Sequence, residues 1–364
     1  MRILHFGVSD NLGGIENYVH DLFHFAKDKN IKFDFIQYGS KKIAFADEYL
    51  KNGCYIHKVV RRNDNYFRNI RQLNSIFKKN NYDILHVHLN TLSYIAPIII
   101  ANRHKCKVIV HSRSSKSNNS VFNILFHKFN FFRLRRLNVH RIAVSKEAGL
   151  WLFGKNNYSV INNGIYVNKF QFDSAVRCKM RSDLGCSNRF IIGNVGAFSF
   201  AKNHKFIIDI FYEIKLLSHD ALLVLIGDGV LKNDIIRYAS SKLSKSDYII
   251  LESQVNISDY YALFDVFLFP SLYEGFPNVV LEAQVSGLPV VLSDTITREV
   301  IKTNNCYRLS LTENCSNWAK KICSIKIMTE ERAKYLNNPE LIRSSRTEAN
   351  SKIIEKYKEV IKSC

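Results

Sequence analysis

The sequence predicts an α/β protein with two doubly wound parallel sheets, and three observations support this fold class. The chain has 364 residues, a length suited to two domains. Hydrophobic residues make up 46% of it and aromatic residues 12%, which is enough for two cores and excludes a largely disordered chain. Short apolar runs alternate with longer amphipathic stretches, as in parallel sheets that are covered by helices on both faces.

Six short apolar runs in the first half are candidate strands. The amphipathic stretches 16–29 and 66–80 between them have the spacing of helices that cover a sheet. The predicted strands are 2–8, 33–39, 84–89, 107–113, 141–145 and 158–162. This order of strands and helices predicts a parallel sheet.

The pattern restarts in the second half and predicts a second parallel sheet. Its candidate strands are 190–195, 222–226, 248–251, 266–270 and 289–292. We predict a first domain of residues 1–168, a second of 169–345, and a helix within 346–364 that packs back on the first domain. Two such sheets side by side would face each other across a cleft at the carboxyl ends of their strands, where parallel sheets bind ligands.

The charge is concentrated in the first half of the chain. The formal net charge is +20, and residues 1–170 contain 27 Lys and Arg against 10 Asp and Glu, whereas residues 171–364 contain 25 against 22. A basic half joined to a near-neutral half suggests that the first half meets an anionic partner. Nucleic acid, an acidic membrane surface and a phosphorylated ligand are the candidates.

Cysteine usage and the N-terminal residues favour a cytoplasmic location. The eight cysteines form no Cys-x-x-Cys pair and no zinc spacing, so we expect reduced thiols. The first ten residues lack the features of a signal peptide. The longest apolar window, 92–101, is about half a membrane span.

The segment 269–294, FPSLYEGFPNVVLEAQVSGLPVVLSD, has the richest chemistry. A buried strand leads into a loop that contains Glu274, and a helix follows with Asn278 as its predicted N-cap and Gly287 as its stop. Glu282 lies in the first turns of this helix. Free N–H groups at a helix start suit a phosphate, and carboxylates accept hydrogen bonds from sugar hydroxyls. The arrangement fits a nucleotide-sugar.

This Glu-x7-Glu spacing resembles the motif of retaining glycosyltransferases of family 4, which have the GT-B fold of two Rossmann-like domains. Other segments match the same family in the same order along nearly the whole chain. They are LGGIENYV, DILHVHL, VIVHSRS, IAVSKEAGLWLFG, VINNGI, GNVGAFSFAKNH, VLIGDG and ALFDVFLFPS. The resemblance is nearest to the bacterial branch that builds capsule, exopolysaccharide or O-antigen.

The resemblance implies roles for residues of the second half. Glu274 would hold donor-sugar hydroxyls, and Glu282 would bind the ribose. Lys202 would neutralise the diphosphate leaving group, in a strand-end loop that begins at Gly196. The remaining donor-binding residues that it implies are Phe276, Pro277 and Asn278, through backbone N–H groups, and Val255, at the base.

It also implies roles in the first half and contains one departure from the family pattern. His111 would lie at the donor sugar, and the loop of Gly13 and Gly14 would approach the donor diphosphate and the acceptor. The family commonly has an arginine where this chain has Ala197. One expected cation is therefore missing, which leaves open a weakly active partner subunit.

We expect no metal and no cofactor. Asp-x-Asp, which holds a divalent ion in the other main glycosyltransferase fold, does not occur in the sequence, and Gly-x-Gly-x-x-Gly follows none of the predicted strands. His86 and His88 share one strand face, but the sequence offers them no clear carboxylate or thiol partner for a metal site. We favour a structural or acceptor-side role for this pair over a metal site.

The segment 120–137, SVFNILFHKFNFFRLRRL, mixes large apolar residues with cations. A basic, aromatic amphipathic stretch is typical of an interfacial membrane helix, and an ordinary core-facing helix with a basic outer face is the alternative. The cations that would meet the anionic surface are Lys128, Arg133, Arg135 and Arg136.

Together these features predict a retaining, metal-independent hexosyltransferase. The donor would be a nucleoside-diphosphate sugar, with UDP favoured, and the acceptor a polyprenyl-diphosphate-linked glycan at the inner face of the plasma membrane. The alternatives are a nucleotide-sugar epimerase or a phosphorylase on the same fold. A nucleic-acid partner is not expected, because the sequence contains no nucleic-acid-binding motif.

Overall fold

The structure, a computed structural model, describes residues 1–116, 121–254, 256–326 and 329–363. The chain divides into two compact units. The first unit contains residues 1–163 and 347–364, and the second unit contains 164–346. The two Rossmann-like units confirm the predicted α/β class.

The first unit is built on one parallel sheet with helices between successive strands. Its strands are β1 (Arg2–Phe6), β2 (Lys32–Tyr38), β3 (Ile56–Val59), β4 (Ile84–Leu89), β5 (Lys107–Ser112), β6 (His140–Ala143) and β7 (Ser159–Val160). Its helices are α1 (Gly14–Lys27), α2 (Ala46–Lys51), α3 (Tyr66–Lys79), α4 (Ala96–Arg103), α5 (Val121–Arg135) and α6 (Lys146–Phe153). The strand order is β3-β2-β1-β4-β5-β6-β7, so the winding direction reverses between β1 and β4.

The second unit repeats this architecture with six parallel strands. Its strands are β8 (Phe190–Val195), β9 (Ala221–Ile226), β10 (Tyr248–Leu251), β11 (Val266–Phe269), β12 (Val290–Ser293) and β13 (Cys306–Leu309). Its helices are α7 (Ser174–Asp183), α8 (His204–Leu217), α9 (Lys232–Lys242), α10 (Ile257–Leu263), α11 (Asn278–Val285), α12 (Cys315–Cys323) and α13 (Pro339–Arg343). The order β10-β9-β8-β11-β12-β13 reverses between β8 and β11.

The last helix, α14 (Arg346–Lys362), returns to the first unit. Ile353 and Tyr357 of α14 are fully buried in the core that β1, β2 and α1 form. The first unit boundary lies between Asn163 and Gly164 and not after Asn168. The reason is that the Ile165 N–H donates to Ser344 O at 2.9 Å and the Arg346 N–H donates to Ile165 O at 2.8 Å, which ties this segment to the end of the second unit.

Two strands that the sequence reading missed, β3 and β13, lie at sheet edges. Their sequences, IHKV and CYRL, are short, partly exposed and interrupted by polar residues. Edge strands are covered less completely than central strands, so they lack the continuous apolar run on which the prediction depended.

The predicted cap of α11 was wrong by one residue. The N-cap is Pro277, and Asn278 is the first helical residue. The predicted stop is confirmed, because Gly287 follows the C-cap Ser286 with a left-handed φ of 67°. Among the described residues, no helix has both the length and the apolar character that crossing a bilayer requires.

Candidate functional site

The candidate site of the second unit lies where its winding direction reverses. The loops after β8 and β11 start from neighbouring strands and are tied together by hydrogen bonds. The Leu272 N–H donates to Ala201 O at 2.7 Å, and Asn203 Nδ2 donates to Pro270 O at 3.2 Å. Such reversal points are where open parallel sheets bind ligands.

These loops bring Lys202 and Glu274 into contact, although 71 residues separate them in sequence. Lys202 Nζ lies 2.6 Å from Glu274 Oε1, and the two side chains are only 16% and 18% exposed. The ammonium group also lies 4.8 Å from the centre of the Phe269 ring. Two residues that were predicted to act on different parts of the donor therefore form one half-buried ion pair.

Glycines allow the backbone to pack closely around this lysine. A Cβ atom on Gly196 would lie 3.2 Å from Lys202 Cε, and one on Gly227 would lie 2.1 Å from Gly196 O. The Phe198 N–H donates to Asp228 O at 2.9 Å. The GDG motif at 227–229, part of the family-like segment VLIGDG, thus packs directly against the 196–198 loop.

Two buried polar atoms without partners lie in the segment that runs from the end of β11 to the first residue of α11. Asn278 Oδ1 and Ser271 Oγ have no hydrogen-bond partner among the described residues. Phe276 and Pro277 are buried, so they can offer a ligand little beyond their backbone. Buried polar atoms normally have partners, and these two indicate a polar ligand or water at the helix start.

Glu282 lies one helical turn further along α11 and is partly buried. Tyr261 Oη donates to Glu282 Oε2 at 2.7 Å. Burial raises the pKa of Glu282, while the Tyr261 hydrogen bond and the cations Arg346, Lys169 and Lys202 act in the opposite direction. The sequence reading missed Tyr261, since an isolated tyrosine on another helix gives no signal.

In the first unit, His111 belongs to a row of buried imidazoles on β1, β4 and β5. His86 Nε2 lies 3.2 Å from His111 Nδ1, and His86 Nδ1 lies 2.6 Å from the Tyr357 hydroxyl. His111 Nε2 is 3.4 Å from Arg113. Burial holds the pKa of His111 well below its usual range, with Arg113 acting in the same direction, so the imidazole is neutral.

The loop of Gly13 and Gly14 is held by a residue that the sequence reading did not select. Glu16 Oε1 accepts hydrogen bonds from Ser9 N and Ser9 Oγ, both at 2.8 Å. A Cβ atom on Gly13 would lie 2.8 Å from Glu16 Oε2. A side chain at position 13 would therefore displace the Glu16 carboxylate from this position, and an approach by a phosphate stays a prediction.

Helix α5 buries His127, Asn130 and Leu134 and exposes most of its large apolar residues. It docks through His127, which accepts from Leu92 N at 3.1 Å, and through Asn130, which donates to Leu92 O at 2.8 Å. The exposed apolar residues are Val121, Phe122, Ile124, Leu125, Phe126, Phe129 and Phe132. The cations Lys128, Arg133, Arg135 and Arg136 are exposed as well. The helix therefore has the solvated basic residues of the core-facing alternative, but it differs from that alternative because most of its large apolar residues do not face the core.

Two groups of three potential metal ligands occur among the described residues. One is buried and consists of His5, His86 and His88, so the partner that this histidine pair lacked in sequence is a third histidine. The other is His20, His24 and Glu48 on α1 and α2. Neither group contains a residue predicted to bind the donor. Val255, predicted at the base, lies outside the described residues.

Comparison with family models covers most of the chain. Residues 12–169 match the model described as "Glycosyltransferase Family 4", and residues 189–326 match "Glycosyl transferases group 1".

Two relatives and one solved structure match two thirds or more of this chain. EpsF of Bacillus subtilis (strain 168), named as a glycosyltransferase, is 32% identical over 88% of this chain and 86% of its own. An Escherichia coli "UDP-Gal:alpha-D-GlcNAc-diphosphoundecaprenol alpha-1,3-galactosyltransferase" is 28% identical over 67% of this chain and 65% of its own. The crystal structure of Anabaena Alr3699/HepE in complex with UDP-glucose has a TM-score of 0.80 at 19% identity, over 99% of this chain and 100% of the other, a likeness of fold.

Proposed function

The chain belongs to glycosyltransferase family 4, and we propose that it transfers a hexose, with retention, from a UDP-sugar to a lipid-linked glycan in surface-polysaccharide synthesis. The observation that carries this proposal is the ion pair of Lys202 and Glu274 beside the start of α11. Glycosyl transfer breaks the bond between a sugar and a diphosphate. The cation is suited to bind the diphosphate, and the carboxylate beside it is suited to bind the hydroxyls of the sugar.

When the donor binds, contacts with it would replace the contact between Lys202 and Glu274. The Lys202 ammonium would bind the diphosphate, and the Glu274 carboxylate would accept hydrogen bonds from the hydroxyls of the sugar. The start of α11 supplies backbone N–H groups and a partial positive charge to the same diphosphate. Because the Lys202 side chain is only 16% exposed, its interaction with a bound anion is screened less than it would be in water.

Bond cleavage requires charge stabilisation on the leaving group. As the bond between the anomeric carbon and the diphosphate oxygen breaks, the electron pair goes to that oxygen, where Lys202 neutralises the developing charge. The acceptor oxygen then bonds to the same face of the carbon, and its proton goes to the departing diphosphate. No metal takes part in this scheme.

Glu282 is proposed to receive the ribose hydroxyls. It lies further along α11 than the start of the helix, and Tyr261 fixes one of its oxygens. A carboxylate held in this way can accept hydrogen bonds from two neighbouring hydroxyls. The preference for uridine rests on similar proteins, namely the UDP-glucose complex of HepE and the UDP-Gal donor in the name of the Escherichia coli relative.

The lipid-linked acceptor is supported by relatives and by α5. The Escherichia coli relative and an N-acetylgalactosaminyltransferase of Campylobacter jejuni are named for diphospho-undecaprenol acceptors. The exposed apolar residues of α5 are flanked by exposed cations, which is the pattern of an interfacial helix. We propose that α5 holds the protein on the anionic inner face of the membrane.

The free energy of membrane binding has an electrostatic and an apolar contribution. Four cations contribute about 1 kcal/mol each near an anionic surface. Each inserted phenylalanine adds about 2 kcal/mol. These contributions support reversible binding, which salt should weaken because it screens the cations.

Vesicle co-sedimentation tests the membrane proposal. We expect binding to vesicles with anionic lipid at low salt, and a loss of about 10³-fold in the variant Phe122→Ser/Phe129→Ser, which removes two contributions of about 2 kcal/mol. The matched control is Leu216→Ser/Leu217→Ser, which removes two equally exposed apolar residues from the second unit. Equal binding by the two variants, or no binding by the unaltered protein, would refute the proposal.

Transfer itself is tested with UDP-sugars and a synthetic polyprenyl-diphosphate glycan, with and without chelator. Lys202→Ala should lower kcat by about 10²–10³, because it removes the fixed cation at the leaving group. The control Lys205→Ala removes an exposed lysine of α8 and should leave the rate unchanged. A Lys202→Ala enzyme as active as its control would contradict the mechanism.

The product separates this proposal from its rivals. An epimerase changes the donor without an acceptor, and a phosphorylase consumes or releases a sugar phosphate. A weakly active partner subunit, suggested by Ala197, would bind the donor without turning it over. NMR of the product also decides between retention and inversion at the anomeric carbon.

A further inference from the structure

One cluster outside the donor-binding residues has the composition of a metal site. His20 and His24 lie four residues apart on α1 and point from one face of the helix, and Glu48 reaches them from α2. His20 Nε2 lies 2.9 Å from Glu48 Oε2, and His24 Nε2 lies 2.8 Å from Glu48 Oε1. The two imidazole nitrogens lie 3.2 Å from each other.

These contacts bring two imidazole nitrogens and one carboxylate together. Glu48 uses a different oxygen for each histidine, and the two Nε2 atoms lie 3.2 Å apart. In the tautomer that carries its hydrogen on Nδ1, each Nε2 atom has a free lone pair, so both imidazoles and the carboxylate can bind one cation between them.

The distances fit a tetrahedral ion. Zinc binds nitrogen and oxygen ligands at about 2.0–2.2 Å, so neighbouring ligand atoms of a tetrahedral site are roughly 3.3 Å apart. The two imidazole nitrogens, 3.2 Å apart, already have nearly this spacing, and the carboxylate of Glu48 lies 2.9 Å from one of them through Oε2 and 2.8 Å from the other through Oε1. Two imidazoles and one carboxylate suit zinc and its neighbours in the first transition row, and do not suit magnesium.

The surroundings allow an ion to enter and hold the ligands in place. The side chains of His20, His24 and Glu48 are 20%, 47% and 39% exposed. The ring of Phe45 stacks on that of His20 with centroids 3.8 Å apart, which limits the imidazole to one plane.

We propose that His20, His24 and Glu48 bind one divalent transition-metal ion of the zinc type, with water completing the coordination. The ion joins α1 to α2 and so fixes the helix that starts at the Gly13 loop, because Glu16, His20 and His24 follow one face of α1. The site is structural and is independent of the transfer chemistry proposed for the second unit.

Zinc titration of the metal-free protein, followed by calorimetry and by thermal unfolding, tests this proposal. At a free Zn²⁺ concentration about 100 times Kd, we expect Tm to rise by roughly 5–10 °C. Mg²⁺ at the same concentration should have no effect. His24→Gln, at the most exposed of the three positions, should weaken zinc binding by at least about 100-fold, since even the loss of an outer partner of a ligand costs 10–100-fold.

His104→Gln is the matched control, because it removes an exposed histidine of the same unit that is not part of the cluster. It should retain the full zinc affinity and the full rise in Tm, whereas Glu48→Gln should behave like His24→Gln. Absence of zinc binding in the unaltered protein would overturn the proposal. So would equal zinc binding and an equal Tm shift in His24→Gln and His104→Gln.

Discussion

The two units share one architecture, but the clusters of ionisable groups in their interiors differ. The first unit places four histidines, His5, His86, His88 and His111, side by side in the middle of its sheet, and burial keeps all four neutral. The second unit contains a buried cluster of charged groups around Asp265.

Asp265 shows how the second unit achieves this. Its carboxylate contacts the guanidinium groups of Arg177 and Arg181, and it accepts from Ile191 N at 2.8 Å. Arg177 also donates to the carbonyls of Ala262, Leu263 and Phe264 at 2.9–3.0 Å. The same kind of sheet can therefore contain either a group of neutral imidazole rings or a group of charges that compensate each other. The stability of the two units should respond differently to pH and to substitution of these residues.

Acidification should cause the largest difference in stability between the two units. A buried histidine with a lowered pKa stays neutral in the folded protein but binds a proton in the unfolded chain below about pH 6.5. Acid therefore favours unfolding, so the first unit has its full stability above about pH 6.5 and loses stability as the pH falls. Each such histidine contributes a slope of about 1.4 kcal/mol per pH unit, and four together give roughly 5. Hydrogen exchange between pH 7 and pH 4.5 should show the first unit opening before the second. Among the described residues of the second unit, His204 is the one histidine whose pKa is lowered by burial in the same way.

His88→Gln sharpens this test. It should reduce the pH slope of the first unit by about 1.4 kcal/mol per pH unit, whatever it does to stability at neutral pH. The exposed His104→Gln should leave the slope unchanged. If both units lose stability in parallel, the neutral-histidine explanation fails.

Removing one partner of a buried charge should affect the second unit nearly as much. Asp265→Asn leaves Arg177 and Arg181 without their carboxylate, and we expect a loss of about 3–5 kcal/mol in the free energy of unfolding. Asp183→Asn, at the end of α7, breaks only the exposed ion pair with Lys179 and should cost less than about 1 kcal/mol. Denaturant unfolding measures both, and similar losses would show that Asp265 is not compensating the guanidinium charges.

Glu282→Gln should give the smallest change in stability, with the opposite sign. Because burial raises the pKa of Glu282, its carboxyl group favours the folded state below its ordinary pKa, and this advantage is lost as the pH rises through the folded value. Glutamine should therefore stabilise the second unit by about 1 kcal/mol at pH 7.5 and not at pH 4.

The same substitution should weaken UDP binding by about tenfold, through the loss of a charged acceptor. Opposite effects on Tm and on affinity would identify Glu282 as a residue retained for binding at a cost in stability. Loss of both would assign it a structural role.

Much of the second unit was predictable because its chemistry is local. Glu274, Glu282 and the start and stop of α11 lie within one short segment, and β8 and β10 were predicted with their observed bounds. The first unit was less predictable. The partner of His111 is His86 of β4, which in turn contacts Tyr357 of α14. The residue that fixes the Gly13 loop, Glu16, resembles an ordinary helix carboxylate in sequence.

By itself, the sequence determined the alternation of strands and helices, the concentration of positive charge in the first half and the residue types at the donor loops. These depend on neighbours along the chain, through periodicity and helix capping. Only the tertiary structure decided which distant groups meet. The contact of Lys202 with Glu274, the outward apolar side of α5, and the convergence of His20, His24 and Glu48 all follow from how elements pack, which no local pattern encodes.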